Sequence, residues 1–536
     1  MAYNFAGGGD GDQVFLMPPD PRDWLPPGHL AWAVRRAVRE LDLAPFLAAY
    51  RADGQGNTAY HPQMMAALIV YCYCKGIRSS RAIEMATFDD VGARVICAGL
   101  HPDHATNARF TGRHKEPLKG LLVQSLVACA KEGLVRVDIT AGDGTKVKAN
   151  ASMAANATAE QLGLEVTELE RLLEAEVEAW IEQAAAADVA EDALFGGDDG
   201  PPAGPPGGRG AKRTAGKLAR RKAAQAKLAA HEQARQEQAE AGRAERIARL
   251  AAEKDRLQAR AAQELARGQA KVDRHAQRAA AAAAGHGRRA PGRAPWPAER
   301  QRDVRTSAAA AARATRKLQE AIAVPAAVPA PARPPRANTT DVASRVMPLK
   351  KGGYDQLYNL QAFAGRRQVI FAIGTHASTT DTTALHPLLK AAAANLAAAG
   401  IADRIGTAAF DGGYASEDNF TAPCQADLYI AVTRDSVQAG KPGAAAAPSG
   451  QPGWQAMAAK LDTPEGRAVY RQRKAIIEPV FAQLFARFGR TLHYRGDMVD
   501  TELHLQAAVH NMLKAIRARA RREQRELARQ PAPAAA

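Results

Sequence analysis

The sequence predicts an α/β protein: a helical N-terminal segment, then a core of strands and helices that a long helical excursion interrupts. Three features carry this reading. Apolar residues recur at three- and four-residue spacing in segments between 61 and 132, the period of a helix packed on one face. From 134 to 150 the apolar positions alternate instead, the period of a strand. After a block of biased composition ending at 336, strand and helix patterns take turns.

The helical segment spans residues 1–132. Between His61 and Lys75, Pro62 opens a helix with Met64, Met65, Leu68, Ile69 and Cys72 on one face. A second helix covers Ser80 to Asp89. A third runs from about Pro117 to Glu132, with Leu121, Leu122, Leu126 and Val127 inward and Gly133 as its C-cap. Residues 133–154 hold the first strands of the core: Leu134, Val135, Val137 and Ile139, a turn at Gly142-Asp143-Gly144, then Thr145, Val147 and Ala149.

Residues 155–336 form the insertion. Leu162, Val166, Leu169, Leu173, Val177 and Trp180 make a helical stripe suited to a hairpin or coiled-coil arm. A Gly/Pro-rich break follows at 196–210, then an Ala/Arg/Gln helix from about Lys217 to Arg278. The Pro/Ala/Arg-rich stretch 285–335 is expected to be disordered. The core resumes over 337–500. Strands are expected at 354–363, 368–373, 405–410 and 426–433, with helices from Asp381 to about Ala399 and from about Pro464. Residues 501–536 read as a basic C-terminal helix and tail.

Lys and Arg number 72 against 56 Asp and Glu, a net charge of +16. That excess points to a polyanion such as nucleic acid, or to a soluble protein that happens to be basic. Residues 209–336 hold 30 Lys and Arg against 11 Asp and Glu, a net of +19, so the rest of the chain nets −3. The insertion is either a basic arm that grips phosphates or a tolerated, solvated excursion. Cys72, Cys74, Cys97, Cys129 and Cys424 are sparse and odd in number, which fits reduced thiols in a cytoplasmic protein rather than a disulfide framework or a zinc site. No signal peptide and no membrane span are expected.

Three acids stand out. Asp143 follows a strand and lies between two glycines. Asp411 ends the apolar run 405–410 and precedes two more. Carboxylates just past strand ends are where open α/β sheets place functional groups, although Asp before Gly is also an ordinary turn former. Glu478 precedes Pro479 inside an apolar stretch, where the chain must kink or start a new helix. A helix-start carboxylate bonded to backbone amides would look the same. No Gly-rich phosphate loop with Lys-Ser/Thr is present, which argues against nucleotide hydrolysis.

Residues 141–146 (Ala-Gly-Asp-Gly-Thr-Lys) resemble the first-Asp segment of DDE transposases of bacterial insertion sequences. Residues 409–414 (Ala-Phe-Asp-Gly-Gly-Tyr) resemble the second, and 470–481, from Tyr470 to Phe481, the third, a relative of the Tyr–Arg–Glu–Lys signature. Segments 341–347, 358–361, 460–466, 495–496 and 510–514 also match, and 60–115 resembles the helical N-terminal domain of the same proteins. The resemblance implies an RNase H-like catalytic core, split by the insertion, and an N-terminal domain that binds DNA ends. It implies that Asp143, Asp411 and Glu478 are catalytic and hold Mg²⁺, two ions, with Mn²⁺ as a substitute. The implied reaction is cleavage at element ends and strand transfer by in-line displacement at phosphorus. The implied partners are the terminal inverted repeats and target DNA, bound by a homodimer or larger assembly on the nucleoid. One position departs: seven residues after Glu478 the family has a lysine, and this chain has Phe485, with Arg487 the nearest cation.

Candidate phosphate contacts are Arg467, Arg471, Arg473, Lys474, Arg487, Arg490, Arg495 and Lys514, with Arg517, Arg519, Arg521 and Arg522 on the last helix. Each is otherwise a solvated surface charge. The alternatives to a transposase are a Mg²⁺ nuclease that cuts without joining and a catalytically impaired, transposase-derived DNA-binding protein, which Phe485 slightly favours and the presence of all three acids disfavours.

Overall fold

The computed structural model describes residues 23–50, 58–195, 208–285, 292–326, 328, 334–349, 352–432 and 451–529. It divides into two compact units, Met1–Asn156 with Asn338–Ala536, and Ala157–Ala337.

The first unit opens with seven helices: α1 (Leu30–Arg39), α2 (Ala44–Leu47), α3 (Pro62–Cys74), α4 (Ser80–Asp89), α5 (Val91–Ile96), α6 (His104–Arg113) and α7 (Lys115–Lys131). In α3 every side chain from Met65 to Cys74 is buried. A helix that is apolar all round can only sit inside, so α3 is the centre of this layer. Pro62 occupies its first turn, where the missing N–H has no partner to lose, and the His61 ring accepts the Gln63 N–H at 3.2 Å.

Strand β1 (Ile139–Lys148) follows α7. Residues 134–149 were expected as two strands around a glycine turn; residues 139–148 are instead one continuous strand with Asp143 in its middle. The glycines serve close packing rather than a turn. A Cβ on Gly142 would collide with the Phe410 ring, and one on Gly144 would come within 2.7 Å of the Asp381 carboxylate. Strand β2 (Asn156–Thr158) then leads to the second unit.

That unit is built from α8 (Ala159–Phe195), α9 (Gly208–Ala283) and α10 (Arg302–Ala323). At 1.5 Å per residue, α9 is about 110 Å long. Helix α8 runs antiparallel to its first part, with Glu165 on Arg221 at 2.6 Å and Glu176 on Thr214 at 3.1 Å. Leu162, Val166, Leu218, Ala224 and Leu228 are buried there. The Gly/Pro-rich break lies outside the described residues as far as 207, as does the Trp180 side chain. Helix α10 runs antiparallel to the last part of α9, where Gly268 admits Val304 and Arg243 reaches the Ile322 carbonyl at 2.5 Å. Over residues 298–324 this corrects the expectation of disorder, whereas 286–291, 327 and 329–333 lie outside the described residues. The prolines that suggested it stand outside residues 298–324, and within them Val304, Ser307, Ala311 and Ala314 fall at helical spacing and are buried.

The chain returns through β3 (Arg336–Asn338), which pairs with β2, into β4 (Arg345–Pro348), β5 (Tyr354–Gly365), β6 (Ile370–His376), α11 (Leu385–Ala398), β7 (Thr407–Phe410), α12 (Glu417–Thr421), β8 (Asp427–Ile430), α13 (Pro452–Asp462), α14 (Pro464–Phe488) and α15 (Met498–Leu527). The main sheet has the order β4-β5-β1-β7-β8, with β6 also on β5. β5 is antiparallel to β1, β4 and β6; β7 is parallel to β1 and to β8. One face packs through Ala141, Leu360 and Ala362 against Ile477 and Val480 of α14 and the helices around α3. The other packs through Phe363, Phe371 and Phe410 against Leu385 and Leu389 of α11.

Helix α15, expected as a separate basic helix, packs on α7 and β6. Its buried Asn511 exchanges hydrogen bonds with the Ile370 backbone, accepting from N at 2.9 Å and donating to O at 2.9 Å. That satisfies part of a sheet edge that would otherwise be costly to bury. Helix α14 runs through Pro479 without ending, so Glu478 lies inside a helix and not at the start of one.

Candidate active site

β1 outruns its parallel neighbour. Their last pair is Ala141 with Ala409, after which β7 ends at Phe410 and β1 continues for seven residues. A notch is left at the end of β7, and it holds two carboxylates. Asp143 comes from β1. Asp411 follows Phe410 and caps the turn Gly412–Tyr414, its Oδ1 accepting the Gly413 N–H at 2.9 Å.

The two charges interact. Burial, and then the charge of Asp411, push the Asp143 carboxyl up to about 6. Arg473 of α14 opposes this: its Nη1 lies 3.2 Å from Asp143 Oδ2. The guanidinium is 5 % exposed, and its Nε has no hydrogen-bond partner among the described residues. The notch is therefore a partly neutralised acidic centre made of hard oxygen donors. An acid whose pKa a neighbouring carboxylate raises gains from a divalent cation, and these two side chains offer one hard oxygen ligands. Among the described residues, no group of three or more Asp, Glu, His or Cys side chains is placed to hold a metal ion.

On the other side of β1 lies a polar network that the sequence did not announce as part of a site. Asp381 accepts from Asn359 Nδ2 at 2.8 Å and Gln361 Nε2 at 2.7 Å. Gln361 Oε1 accepts the hydroxyl of Tyr414, a fully buried residue. Asp381 had been read as the start of a helix. The available signal was the pair of amides two residues apart on β5, which occupy one face of a strand whose other neighbours are apolar.

Glu478 is placed differently from the two aspartates. Its side chain is exposed on α14, while Ile476, Ile477 and Val480 face the sheet. It shares its side of the helix with Lys474 and Phe485.

Of the proposed cations, Arg467, Arg471, Lys474, Arg490, Arg495, Arg517, Arg521 and Arg522 are exposed. Several have partners within the unit: Arg467 with Asp462 at 3.0 Å, Arg473 with Asp143, Arg487 with the Cys74 carbonyl, Arg490 over the Phe485 ring, Arg495 with Asn150, and Lys514 with Gln368 at 3.3 Å. Arg519 grips Glu40 at 2.8 Å, and Arg522 grips Glu132 at 3.1 Å. Gly76, at φ +81, allows the turn after α3 to approach the Arg487 backbone, where a Cβ would lie 2.7 Å from the carbonyl oxygen.

Two family models match the chain. The Transposase domain (DUF772) matches residues 19–113, which hold α1 to α6, and the Transposase DDE domain matches 451–516, which hold α13, α14 and half of α15. No curated protein and no solved structure matches. With the first domain toward the N-terminus and the second toward the C-terminus, the two matches support a DDE transposase of the insertion-sequence type. Arg473 and Glu478 fall inside the DDE match; Asp143 and Asp411 fall outside it.

Proposed function

We propose that this protein cuts DNA at the ends of its element and joins them to target DNA, using Asp143, Asp411 and Glu478 with Mg²⁺. The observation that carries the proposal is the coupling of Asp143 to Asp411 at the open edge of β1, where burial and Asp411's charge lift the Asp143 carboxyl to about 6. The strand order supports an RNase H-like core: antiparallel β6, β5 and β1, then β7 and β8 parallel to β1.

Divalent ions bound there would activate the attacking oxygen and stabilise the leaving one in an in-line displacement. The protein's own residues prepare for this. Asp143 and Asp411 supply charged oxygens from a rigid sheet. Arg473 orients Asp143 and favours its charged form, because a neighbouring cation lowers a carboxyl pKa. Glu478 presents a third carboxylate from α14, on the same side as Lys474. Exposed Arg467, Arg471 and Lys474 on that helix, with Arg490 just beyond it, supply phosphate contacts that do not depend on base sequence. The DUF772 segment is the proposed reader of the element's terminal repeats, within a dimer or larger assembly on DNA.

The test uses purified protein with DNA from the flanks of its gene and Mg²⁺. Asp143→Asn, Asp411→Asn and Glu478→Gln are each expected to abolish cleavage while DNA affinity stays within about threefold, since distributed cations carry the affinity. Appreciable cleavage by any one variant removes that residue from the site. Joined product distinguishes a transposase from a nuclease that only cuts.

A further inference from the structure

The C-terminal half of α14, the middle of α15 and the turn after α3 enclose a cleft of about 460 Å³. Gln483 and Arg487 are one helical turn apart on α14, and His510, Lys514 and Arg517 follow at helical spacing on α15, so each helix turns one such face to the cleft. Gly76 lets the turn after α3 close against the Arg487 backbone. The cleft lies at the seam of the two family matches: Lys75 belongs to the first, and Gln483, Arg487, His510 and Lys514 to the second. Arg487 stands about 20 Å along α14 from Arg473, which separates the cleft from the acid notch.

Three cations here have no acid to neutralise them among the described residues. Arg487 donates from Nη1 to the Cys74 carbonyl, and Lys514 to the Gln368 side-chain oxygen at 3.3 Å. Both acceptors are neutral and leave the charge in place, and a guanidinium has further N–H donors to offer. Arg517 is exposed, and among the described residues no carboxylate pairs with it. Lys75, at the rim, differs, because it pairs with Asp90. No Asp or Glu is among the described residues that line the cleft.

The uncompensated charge acts on the groups that face it. Burial, and then the charge of Arg517, lower the half-buried Lys514 ammonium. Burial, and then the charges of Lys514, Arg487 and Arg517, push the His510 ring down to about 4, despite the bond it donates to the Gln368 carbonyl at 2.8 Å. His510 is therefore neutral near pH 7 and serves as a fixed wall. Like charges gathered in a partly dehydrated cleft repel, and a bound anion relieves both the repulsion and the lost hydration. Two guanidinium groups and an ammonium suit phosphate, whose several oxygens can accept from all three. The cleft is larger than a lone phosphate needs and leaves room for sugars on either side.

We propose that this cleft is a phosphate-binding site, formed by Arg487, Lys514 and Arg517, that holds a backbone phosphate of DNA. It rests on the DNA-processing reading above and adds an anchor away from the catalytic notch. Of the cations expected to touch phosphate, these three are the ones the fold gathers into one cavity.

The experiment titrates full-length protein into a short labelled duplex at several salt concentrations without Mg²⁺, read by fluorescence anisotropy. A second arm compares melting temperatures of the DNA-free protein in inorganic phosphate and in chloride at matched ionic strength. The variants are Arg517→Gln, the pair Lys514→Gln with Arg517→Gln, and Arg521→Gln, an exposed position on the same helix outside the cleft. The pair is expected to weaken duplex binding about fivefold or more and to make the slope of log K against log salt shallower by about one. Phosphate should raise the melting temperature of the parent and not of the pair. Parent-like affinity and slope in the pair overturn the site. A loss of the same size in Arg521→Gln also overturns it, by making the effect one of overall charge. If Lys514→Gln does not fold, Arg517→Gln alone decides by the same readouts. A parent that binds no duplex, yet is stabilised by phosphate where the pair is not, overturns the DNA reading and assigns the cleft to free phosphate.

Discussion

Phe485 stands where the family resemblance places a lysine, two helical turns beyond Glu478 on the same side of α14. Replacing it with lysine tests whether the position is a lost phosphate contact or a packing site. The ring is half-buried against the core of the first unit. It stacks on Phe481 with centroids 5.9 Å apart and planes 15° apart, and the Arg490 guanidinium lies 4.2 Å above it. The stacked pair contributes about 1 kcal/mol, the partly exposed cation–π contact about 0.5, and half-burial of the ring about 1. Phe485→Lys removes all three and sets an ammonium beside Arg490, so a loss of about 2–3 kcal/mol is expected. Phe485→Leu keeps most of the apolar burial and should lose about 1–1.5 kcal/mol. Urea unfolding gives the stabilities, and cleavage of end DNA under single-turnover conditions gives the rates. A lysine variant that is as stable as the parent and cuts faster would refute the packing argument and restore the lost-contact reading.

Other expectations follow from the same geometry. Asp143's folded-state carboxyl, at about 6, stands above the ordinary value of about 3.9. The contribution of this group to stability is therefore full below about pH 4, and on the order of 2–3 kcal/mol is lost as pH rises through about 6 in the metal-free protein. Urea midpoints at pH 4.5 and 7 should show this slope in the parent and not in Asp143→Asn, and a slope shared by both assigns it elsewhere. Mn²⁺ affinity should fall as pH drops below about 6, because the ion needs the charged carboxylate; affinity that holds steady from pH 7 to 5 contradicts this. Gly142→Ala forces a methyl into the Phe410 ring and should cost about 1–3 kcal/mol as overpacking, read as a lowered urea midpoint; an unchanged midpoint would mean that the strand shifts freely. Deleting residues 298–324 strips α10 from α9 and should make α9 susceptible to limited proteolysis. An undiminished protease-resistant fragment would show that α10 contributes no packing.

The sequence alone determined most of the element types, the order of the acidic motifs and the location of the positive charge, because these depend on periodicity and composition along the chain; α10 and the single strand β1 it did not. Helix α3 was legible from Pro62 and its apolar run, and Asp411 from the strand that precedes it. Local rules misread positions whose reason lies elsewhere in the fold. Gly142 and Gly144 read as turn residues because glycine most often relieves backbone strain, yet here they make room for Phe410 and Asp381 from distant segments. Pro479 read as a break, but one missing hydrogen bond is offset by the buried face that α14 lays on the sheet. Arg473 read as one surface cation among many; the crossing of α14 over β1 sets it inside, against Asp143. Asp381 carried no local sign at all. Its neighbours Asn359 and Gln361 lie about twenty residues before it, and Asp411 thirty after, and a carboxylate's environment is a matter of distance in space, which only the tertiary fold decides.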